Sequence, residues 1–260
     1  MSVLEIETSR YGWIPDLPDH RDHLYATPGP ALATLPATVD LRPGCPPVYD
    51  QGQLGSCTAN AIGAAYAFDH LKQGLGDIMP SRLFIYYNER VIEHSVNSDA
   101  GAMIRDSIKT VAAQGVCLEI EWPYVISKFR VKPLPACYAD ALHDRAVSYQ
   151  RVSQTLSQIQ GCLASGTPVV FGFSVYSSFE SATVAKTGVV PMPRRGEQLL
   201  GGHAVLAVGY DDATQRFLVR NSWGSSWAGP MEGYCTMPYA YLLSPQLASD
   251  FWAINTVSTT

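Results

Sequence analysis

The sequence lacks any long run of basic residues, and charged residues of either sign are scarce. Asp, Glu, Lys and Arg together make up 16% of the 260 residues, and the formal net charge is −5. Binding to nucleic acid depends on clustered Lys and Arg, so this composition disfavours that class of function. Long apolar runs are missing too, because no stretch reaches the roughly 18 residues that a membrane-spanning helix needs. We therefore expect neither a nucleic-acid nor a membrane partner.

Sequence patterns that bind metals are also missing. None of the six cysteines belongs to a C-x-x-C pair, and no H-E-x-x-H occurs, so we expect no metal site and no cofactor. Most of these cysteines are expected to be small buried hydrophobes. The N-terminal residues show no basic region followed by an apolar run, which is the pattern of a secretory signal, and the cellular location stays open.

The first half of the chain predicts an extended segment followed by helices. Residues 1–34 are rich in Pro, Asp and aromatic residues without periodicity, which indicates an N-terminal extension lying on the surface rather than a domain. Helical spacing predicts helices over 57–72, 82–94 and 102–114. Ser81 is a suitable N-cap for the second helix, and Gly115 is placed to end the third.

The second half has the pattern of a β structure. From residue 147 onward, β-branched and aromatic runs broken by Gly, Pro and Asp predict strands, with one short helix near 155–164. Helices first and strands later indicate an α+β fold with segregated lobes. We expect one domain over 35–260, with a helical lobe at about 57–145 and a β lobe at about 146–260. The cleft between two such lobes is a usual place for an active site.

A first motif, QGQLGSCTA at 51–59, places Cys57 at the start of a predicted helix. The unpaired N–H groups and partial positive charge at a helix N-terminus favour thiolate over thiol, which makes the sulfur a competent nucleophile. Gln51, six residues earlier, carries a side-chain N–H donor. Together with the backbone N–H of Cys57, it could form an oxyanion hole with two donors.

Two further motifs concern a histidine and its partner. GGHAVLAVGY at 201–210 places His203 at the entry of an apolar strand, and RNSWGSSW at 220–227 places Asn221 and Trp223 at the end of the next one. A lone histidine of this kind is more often a core residue. Adjacent antiparallel strands, however, can bring His203 and Asn221 side by side. The amide oxygen would then orient the imidazole, and Trp223 would shield their hydrogen bond from water.

In this order, the motifs resemble those of the papain-like cysteine proteases, which carry Q-G-x-C-G-S-C-W, H-A-V-x-x-V-G-Y and N-S-W-G-x-x-W. Cys57 and His203 are 146 positions apart, within the roughly 130–150 that separate nucleophile and base in such enzymes. LPATVDLR resembles the start of a mature chain at about Leu35, so the resemblance spans about 35–257. It implies a papain-like two-lobed fold with an antiparallel, barrel-like β lobe. It also implies a cysteine endopeptidase that acts on peptide or protein substrates without a cofactor.

The resemblance further assigns residues to substrate binding. DAGA at 99–102 is a reduced form of the glycine-rich strand that holds the substrate backbone in the family, with Gly101 as the binding glycine. Met103 is then expected to form a wall of the pocket for the residue second from the cleaved bond. Gly202 and Trp223 complete the expected substrate-binding set.

Some positions depart from the family pattern. Leu54 stands where the family has the first Cys of C-G-S-C, so the disulfide common at that position is missing, and Thr58 replaces an aromatic residue. These details are most similar to the compact bacterial branch of the family. A bridge between Cys117 and Cys137 is favoured by their 20-residue separation within one lobe, and by the resemblance of GVCLEIEWPY to a looped family segment.

The mechanism that the resemblance implies has three parts. The Cys57 thiolate attacks a peptide carbonyl while Gln51 holds the oxyanion, and His203 protonates the leaving amine and then activates water to hydrolyse the acyl-enzyme. A related Cys-His amidase or acyl transferase, and a non-enzymatic binding protein on the same scaffold, are the alternatives. Gln51 together with NSWG favours the peptidase, and the presence of all four functional residues argues against the binding protein.

Papain-like enzymes are commonly made as zymogens, and residues 1–34 could serve as a short pro-segment. Its prolines would interrupt a helix, but an extended chain with apolar anchors can lie along a groove. We expect part of residues 11–25 to cover the catalytic cleft and restrain activity as an inhibitor within the same chain. The alternative is that the segment packs on the outside of a lobe for stability. The anchors are Tyr11, Trp13, Ile14, Leu17, Leu24 and Tyr25.

Overall fold

The computed structural model describes residues 11–32 and 34–259, and within these ranges no helix is both long and apolar enough to cross a membrane. The helices are α1 (Gly29–Leu32), α2 (Cys57–Lys72), α3 (Arg82–Ile92), α4 (Ile104–Gln114), α5 (Pro135–Ala141), α6 (Leu156–Ala164), α7 (Ala182–Thr187) and α8 (Tyr239–Leu243). The strands are β1 (Trp13–Ile14), β2 (Leu24–Tyr25), β3 (Thr38–Asp40), β4 (Ala102–Met103), β5 (Asp144–Val152), β6 (Val169–Tyr176), β7 (Leu199–Asp211), β8 (Arg216–Arg220), β9 (Tyr234–Pro238) and β10 (Ala248–Thr259).

Helix α2 lies at the centre of the molecule, between the other helices and the sheet. All of its residues from Cys57 to His70 are buried, because α3 and α4 pack on one side and β7 and β10 on the other. Its many alanines keep the helix narrow, so that both layers can approach its backbone closely. The helix therefore sets the distance between the two lobes and places its first residue at their junction.

The other two helices of the first half differ from their predicted bounds only at the ends. The Ser81 hydroxyl accepts a hydrogen bond from the Phe84 N–H and caps α3, as predicted. Helix α4 begins two residues later than predicted, because Ala102 and Met103 form strand β4 instead. Gly115, with a φ of 76°, ends α4 as predicted.

The second half of the chain forms most of an eight-stranded sheet. Its order is β2-β5-β10-β6-β7-β8-β9, and β3 pairs with β7 outside this path. The pairs are antiparallel except for β2 and β5, which run parallel. This strand order does not close into a complete barrel. Strand β7 lies near the middle of the sheet and carries the histidine motif to the junction with α2.

The N-terminal segment is bound to both lobes from Asp16 onward. The buried carboxylate of Asp16 accepts hydrogen bonds from the backbone N–H of Arg105 in α4 at 3.0 Å and from the indole N–H of Trp252 in β10 at 2.8 Å. Asp22 forms ion pairs with Arg105 at 2.6 Å and with Arg151 in β5 at 3.2 Å. Because buried paired charges are costly to separate, this part of the segment holds the lobes together.

The cysteines are free thiols in this structure, so the bridge predicted between Cys117 and Cys137 is not formed. Both side chains are buried in the first lobe, and they neighbour each other. The prediction was right about their proximity and wrong about the bond.

Candidate active site

Neighbouring strands bring His203 and Asn221 together. His203 lies in β7 opposite Phe173 of β6, and Asn221 directly follows the last residue of β8. The imidazole Nε2 lies 2.8 Å from the Oδ1 of Asn221, and both side chains are buried. The hydrogen-bonding partner is therefore supplied by the strand next to the histidine strand.

A second hydrogen bond identifies the proton position on the imidazole. The backbone N–H of Ser222 also donates to the Oδ1 of Asn221, at 2.8 Å, so this atom must be the amide oxygen rather than the amide nitrogen. The Nε2 of His203 consequently carries the proton in this contact. In a neutral imidazole, Nδ1 is then the nitrogen that can accept a proton. A general base needs this tautomer.

Aromatic rings enclose the pair. The ring centroid of Trp223 lies 5.1 Å from that of His203, and that of Phe173 lies 5.7 Å away. Phe179 packs edge-on against Trp223 at 5.4 Å. Hydrogen bonds are stronger in such water-poor surroundings, so the rings help to fix the orientation of the imidazole.

Gln51 is also buried and held on both ends of its amide. Its Oε1 accepts from the Ser222 hydroxyl at 2.6 Å, and its Nε2 donates to the carbonyl of Leu54 at 2.8 Å. Its backbone N–H donates to the Ser222 carbonyl at 2.9 Å. Since Ser222 also contacts Asn221, these bonds join the loop before the nucleophile candidate to the loop that carries the histidine partner.

Cys57 is the first residue of α2 and is fully buried between the lobes. The backbone N–H groups of Ala204, Gly12 and Thr58 face its sulfur and favour a thiolate, but burial outweighs them and raises the pKa of the Cys57 thiol to about 12. The helix N-terminus alone had predicted a lowered pKa. The difference arises because the sulfur is fully buried, with Gly12 from the N-terminal segment among the residues that face it.

The segment enters the cleft as an added strand. Strand β1 runs parallel to β4, with Trp13 opposite Ala102 and Ile14 opposite Met103, and the Gly12 carbonyl accepts from the N–H of Ala102 at 2.7 Å. Met103, predicted as a pocket wall, thus lies beside the segment. On the other side of Cys57, the ring of Tyr11 lies 6.2 Å from that of His203.

The contacts of this strand leave no room for side chains at several positions. A Cβ on Gly12 would lie 1.7 Å from the carbonyl oxygen of Gly55, and one on Gly101 would lie 2.0 Å from the oxygen of Gly12. A Cβ on Gly202 would lie 2.5 Å from the oxygen of Trp13. The predicted substrate-binding glycines therefore both touch the segment, which occupies the substrate path expected from the sequence.

Three contributors to the site were missed at the sequence level, whereas Trp13 was already named as an anchor of the covering segment. Gly12 lies in the cleft next to Trp13, Gly172 of β6 lies under the Trp13 ring, and Ser222 connects Gln51 to Asn221. A glycine between two aromatic residues in an extended segment, and a glycine inside the apolar strand, were the available signals. Neither signal states which other residue the glycine must accommodate.

Residues 35–242 match the sequence profile of a protein family that is described as papain family cysteine protease. This chain belongs to the papain family. The family resemblance read from the motifs is thereby confirmed, and the enzyme is a hydrolase of the cysteine peptidase type.

The sequence and structure of this chain are similar to those of several known proteins, among them three relatives. It is similar to xylellain, a cysteine protease from Xylella fastidiosa, with 46% identity and a TM-score of 0.92 over 98% of this chain and 99% of that one, which confirms the α+β papain-like fold. It is 44% identical to an uncharacterized peptidase C1-like protein, L477, of Acanthamoeba polyphaga mimivirus, over 95% of this chain and 87% of the relative. It is 28% identical to the thiol protease aleurain of Arabidopsis thaliana, over 79% of this chain but only 56% of that protein.

Proposed function

We propose that the enzyme is an endopeptidase that uses Cys57 as nucleophile, His203 as base and Asn221 to orient the base. Proton transfer from the thiol to the Nδ1 of His203 yields the thiolate, which attacks the peptide carbonyl. Gln51 and the Cys57 N–H stabilise the oxyanion, and His203 returns the proton to the leaving amine. Water activated by His203 then hydrolyses the thioester and frees the enzyme.

The single observation that carries this proposal is the hydrogen bond from His203 Nε2 to Asn221 Oδ1 at 2.8 Å. Because this bond engages Nε2, the Nδ1 of His203 is the nitrogen that can exchange a proton. His203 lies on strand β7, which packs against the helix that begins at Cys57. An internal cleavage site is supported by the path of the covering segment. Its chain passes through the cleft, with Tyr11 beside His203 and Trp13 on the other side of Cys57.

We also propose that residues 11–13 act as an inhibitor within the chain. A trans peptide points its N–H and C=O in opposite directions, and the Gly12 N–H faces the sulfur of Cys57. The carbonyl of that peptide consequently points away from the nucleophile and cannot be attacked in this orientation. Residues 16–22 keep the segment attached to both lobes.

Incubation of the full chain with fluorescence-quenched peptides tests the peptidase activity, with and without a thiol reductant. We expect internal peptide bonds to be cleaved in the reduced sample, with a new free carboxylate at each cut identified by mass spectrometry. Added glycinamide distinguishes the chemistry, because an acyl transferase would give the amide-exchanged product in its place. Exchange without hydrolysis would contradict the peptidase assignment.

Substitutions of the three supporting residues should rank in a defined order. Gln51→Ala should lower kcat by about 10²–10³-fold, as the loss of one oxyanion donor commonly does. Gln53→Ala is the matched control, because this nearby glutamine is exposed and its loss should leave kcat unchanged. Asn221→Ala should slow turnover less than His203→Ala, since Asn221 only orients the base. A loss at Asn221 that equals or exceeds the loss at His203 would contradict the assigned roles, and steady-state kinetics decide it.

A further inference from the structure

The carboxyl group of Glu89 is buried against the first turn of helix α2. Glu89 lies in α3 and is fully buried. Its Oε1 accepts a hydrogen bond from the hydroxyl of Thr58 in α2 at 2.8 Å, and its Oε2 is hydrogen-bonded to the hydroxyl of Ser107 in α4. The carboxyl group therefore joins the start of α2 to both of the helices that pack on it.

This carboxyl group has no cation that would balance a negative charge. None of the ion pairs formed by the described residues includes Glu89. Arg90 is buried beside it in α3, but its guanidinium donates to four backbone carbonyls instead. The carboxyl groups of Glu93 and Asp106 also face Glu89 and repel a negative charge. Burial makes the largest contribution and raises the pKa of the Glu89 carboxyl well above its usual range.

Thr58 connects Glu89 to the nucleophile candidate. It directly follows Cys57, at the position where the family pattern has an aromatic residue. Its backbone N–H faces the Cys57 sulfur, while its hydroxyl is held by Glu89. The bond to Glu89 thus fixes the residue that supplies one of the N–H groups favouring the thiolate. A negative charge on Glu89 would act in the opposite direction, because it would raise the pKa of the Cys57 thiol.

We propose that Glu89 is a protonated carboxylic acid at neutral pH and a positioning residue for Cys57. Its Oε1 is then the carbonyl oxygen that accepts from Thr58, and its Oε2 carries the proton and donates to the Ser107 hydroxyl. The neutral acid holds the first turn of α2 in place without adding a negative charge near the sulfur. This inference rests on the proposed role of Cys57 as the nucleophile.

Infrared difference spectroscopy on the full chain tests the protonation state. The spectrum of the unaltered chain minus that of Glu89→Gln should contain the C=O stretching band of a protonated carboxylic acid at neutral pH. Glutamine keeps an oxygen for Thr58 and a donor for Ser107, so this conservative variant should retain kcat within about 2-fold. Carboxylate bands in the difference spectrum would overturn the proposal. Faster alkylation of Cys57 in Glu89→Gln would do the same, because it would show that a negative charge had been removed.

Substitutions at Thr58 test the positioning role. Thr58→Val removes the hydroxyl and keeps the shape of the side chain. It should lower kcat by about 10-fold and leave KM nearly unchanged, because the hydroxyl faces α3 rather than the substrate. Thr58→Ser retains the hydroxyl and should restore kcat. Thr110→Val is the matched control, since Thr110 is a buried threonine of α4 whose hydroxyl has no hydrogen-bond partner among the residues that the structure describes.

Alkylation of Cys57 separates this proposal from the peptidase function. Iodoacetamide should label Thr58→Val more slowly than Thr110→Val, because the N–H that favours the thiolate is no longer held in place. If both variants cleave peptides and are labelled at the same rate, Glu89 does not position Cys57, while the peptidase function stands. If the unaltered chain cleaves no peptide, the proposed function is wrong, and equal labelling of the two variants would then overturn the positioning role as well.

Discussion

Replacing Cys57 with alanine should abolish peptide cleavage, with a loss of at least about 10⁴-fold in kcat. Without the sulfur no acyl-enzyme can form, and the remaining oxyanion donors can only bind the substrate. Cys57→Ser should be similarly inactive, because a serine hydroxyl in the same place has no accessible anionic form near neutral pH. Initial rates on one good peptide substrate provide the measurement.

Cys162→Ala is the matched control for that experiment. Cys162 is also a fully buried thiol, but it lies in α6 with its sulfur near the Thr167 carbonyl, inside the second lobe. Its replacement should lower stability slightly and leave kcat unchanged. Activity that survives in a folded Cys57→Ala chain, while the thermal transition resembles that of the control, would remove the basis for a cysteine mechanism.

Replacing Gly12 with leucine should release the covering strand and raise activity on small peptides by about 10-fold or more. The new Cβ would overlap the backbone oxygen of Gly55, from which it would lie only 1.7 Å away, and backbone atoms there cannot move aside. A tethered occupant has an effective concentration in the millimolar range, so its loss should appear as a large change in kcat/KM. The variant alters none of the proposed catalytic groups.

Alkylation of Cys57 gives a second readout of the same change. In the full chain, burial raises the pKa of Cys57 to about 12, so alkylation should be slow at neutral pH and continue to accelerate as the pH rises. When Gly12→Leu exposes the sulfur to water, the burial penalty falls and the pKa should fall with it. The rate of iodoacetamide labelling should therefore rise most at neutral pH.

Leu17→Ala is the control for both measurements, because this side chain belongs to the same segment and is 68% exposed outside the cleft. It should match the unaltered chain in cleavage and in labelling. A Gly12→Leu chain that behaves like this control would show that residues 11–13 do not restrain the enzyme. The segment would then be only structural.

Local signals accounted for most of the elements in this fold. Helix α2 was predicted at 57–72 and observed at Cys57–Lys72, since alanine content and helical spacing act within a few residues of each other. The start of α4 was missed because Ala102 and Met103 pair with β1, which is 89 positions away. A strand that exists only because a distant segment adds to it has no local signature.

The features of the candidate site also fall into two groups, those with a local sequence signal and those that depend on distant contacts. Cys57, His203, Asn221 and Gln51 stand in motifs whose spacing could be compared with a family pattern. The occupancy of the cleft could be expected from the aromatic residues of the segment, but not its register. That register depends on which glycines leave space for which atoms, and the contact of Gly12 with Gly55 joins residues 43 positions apart. The burial that raises the pKa of Cys57 to about 12 was equally invisible in the sequence.

Only a few residues separate the covering strand from Asp16, which binds the segment to both lobes. This limits how far the strand can move away from the cleft. Only Ile14 and Pro15 separate Trp13 from Asp16, which is bonded to both lobes. From that anchor the chain back to Tyr11 can reach roughly 17 Å when fully extended. A displaced strand therefore stays within reach of the cleft, and the fraction of closed molecules does not change on dilution. If residues 11–13 restrain the enzyme as proposed, we expect lasting release to need a cut in this short connection, which would leave the bonds of Asp16 and Asp22 between the lobes intact.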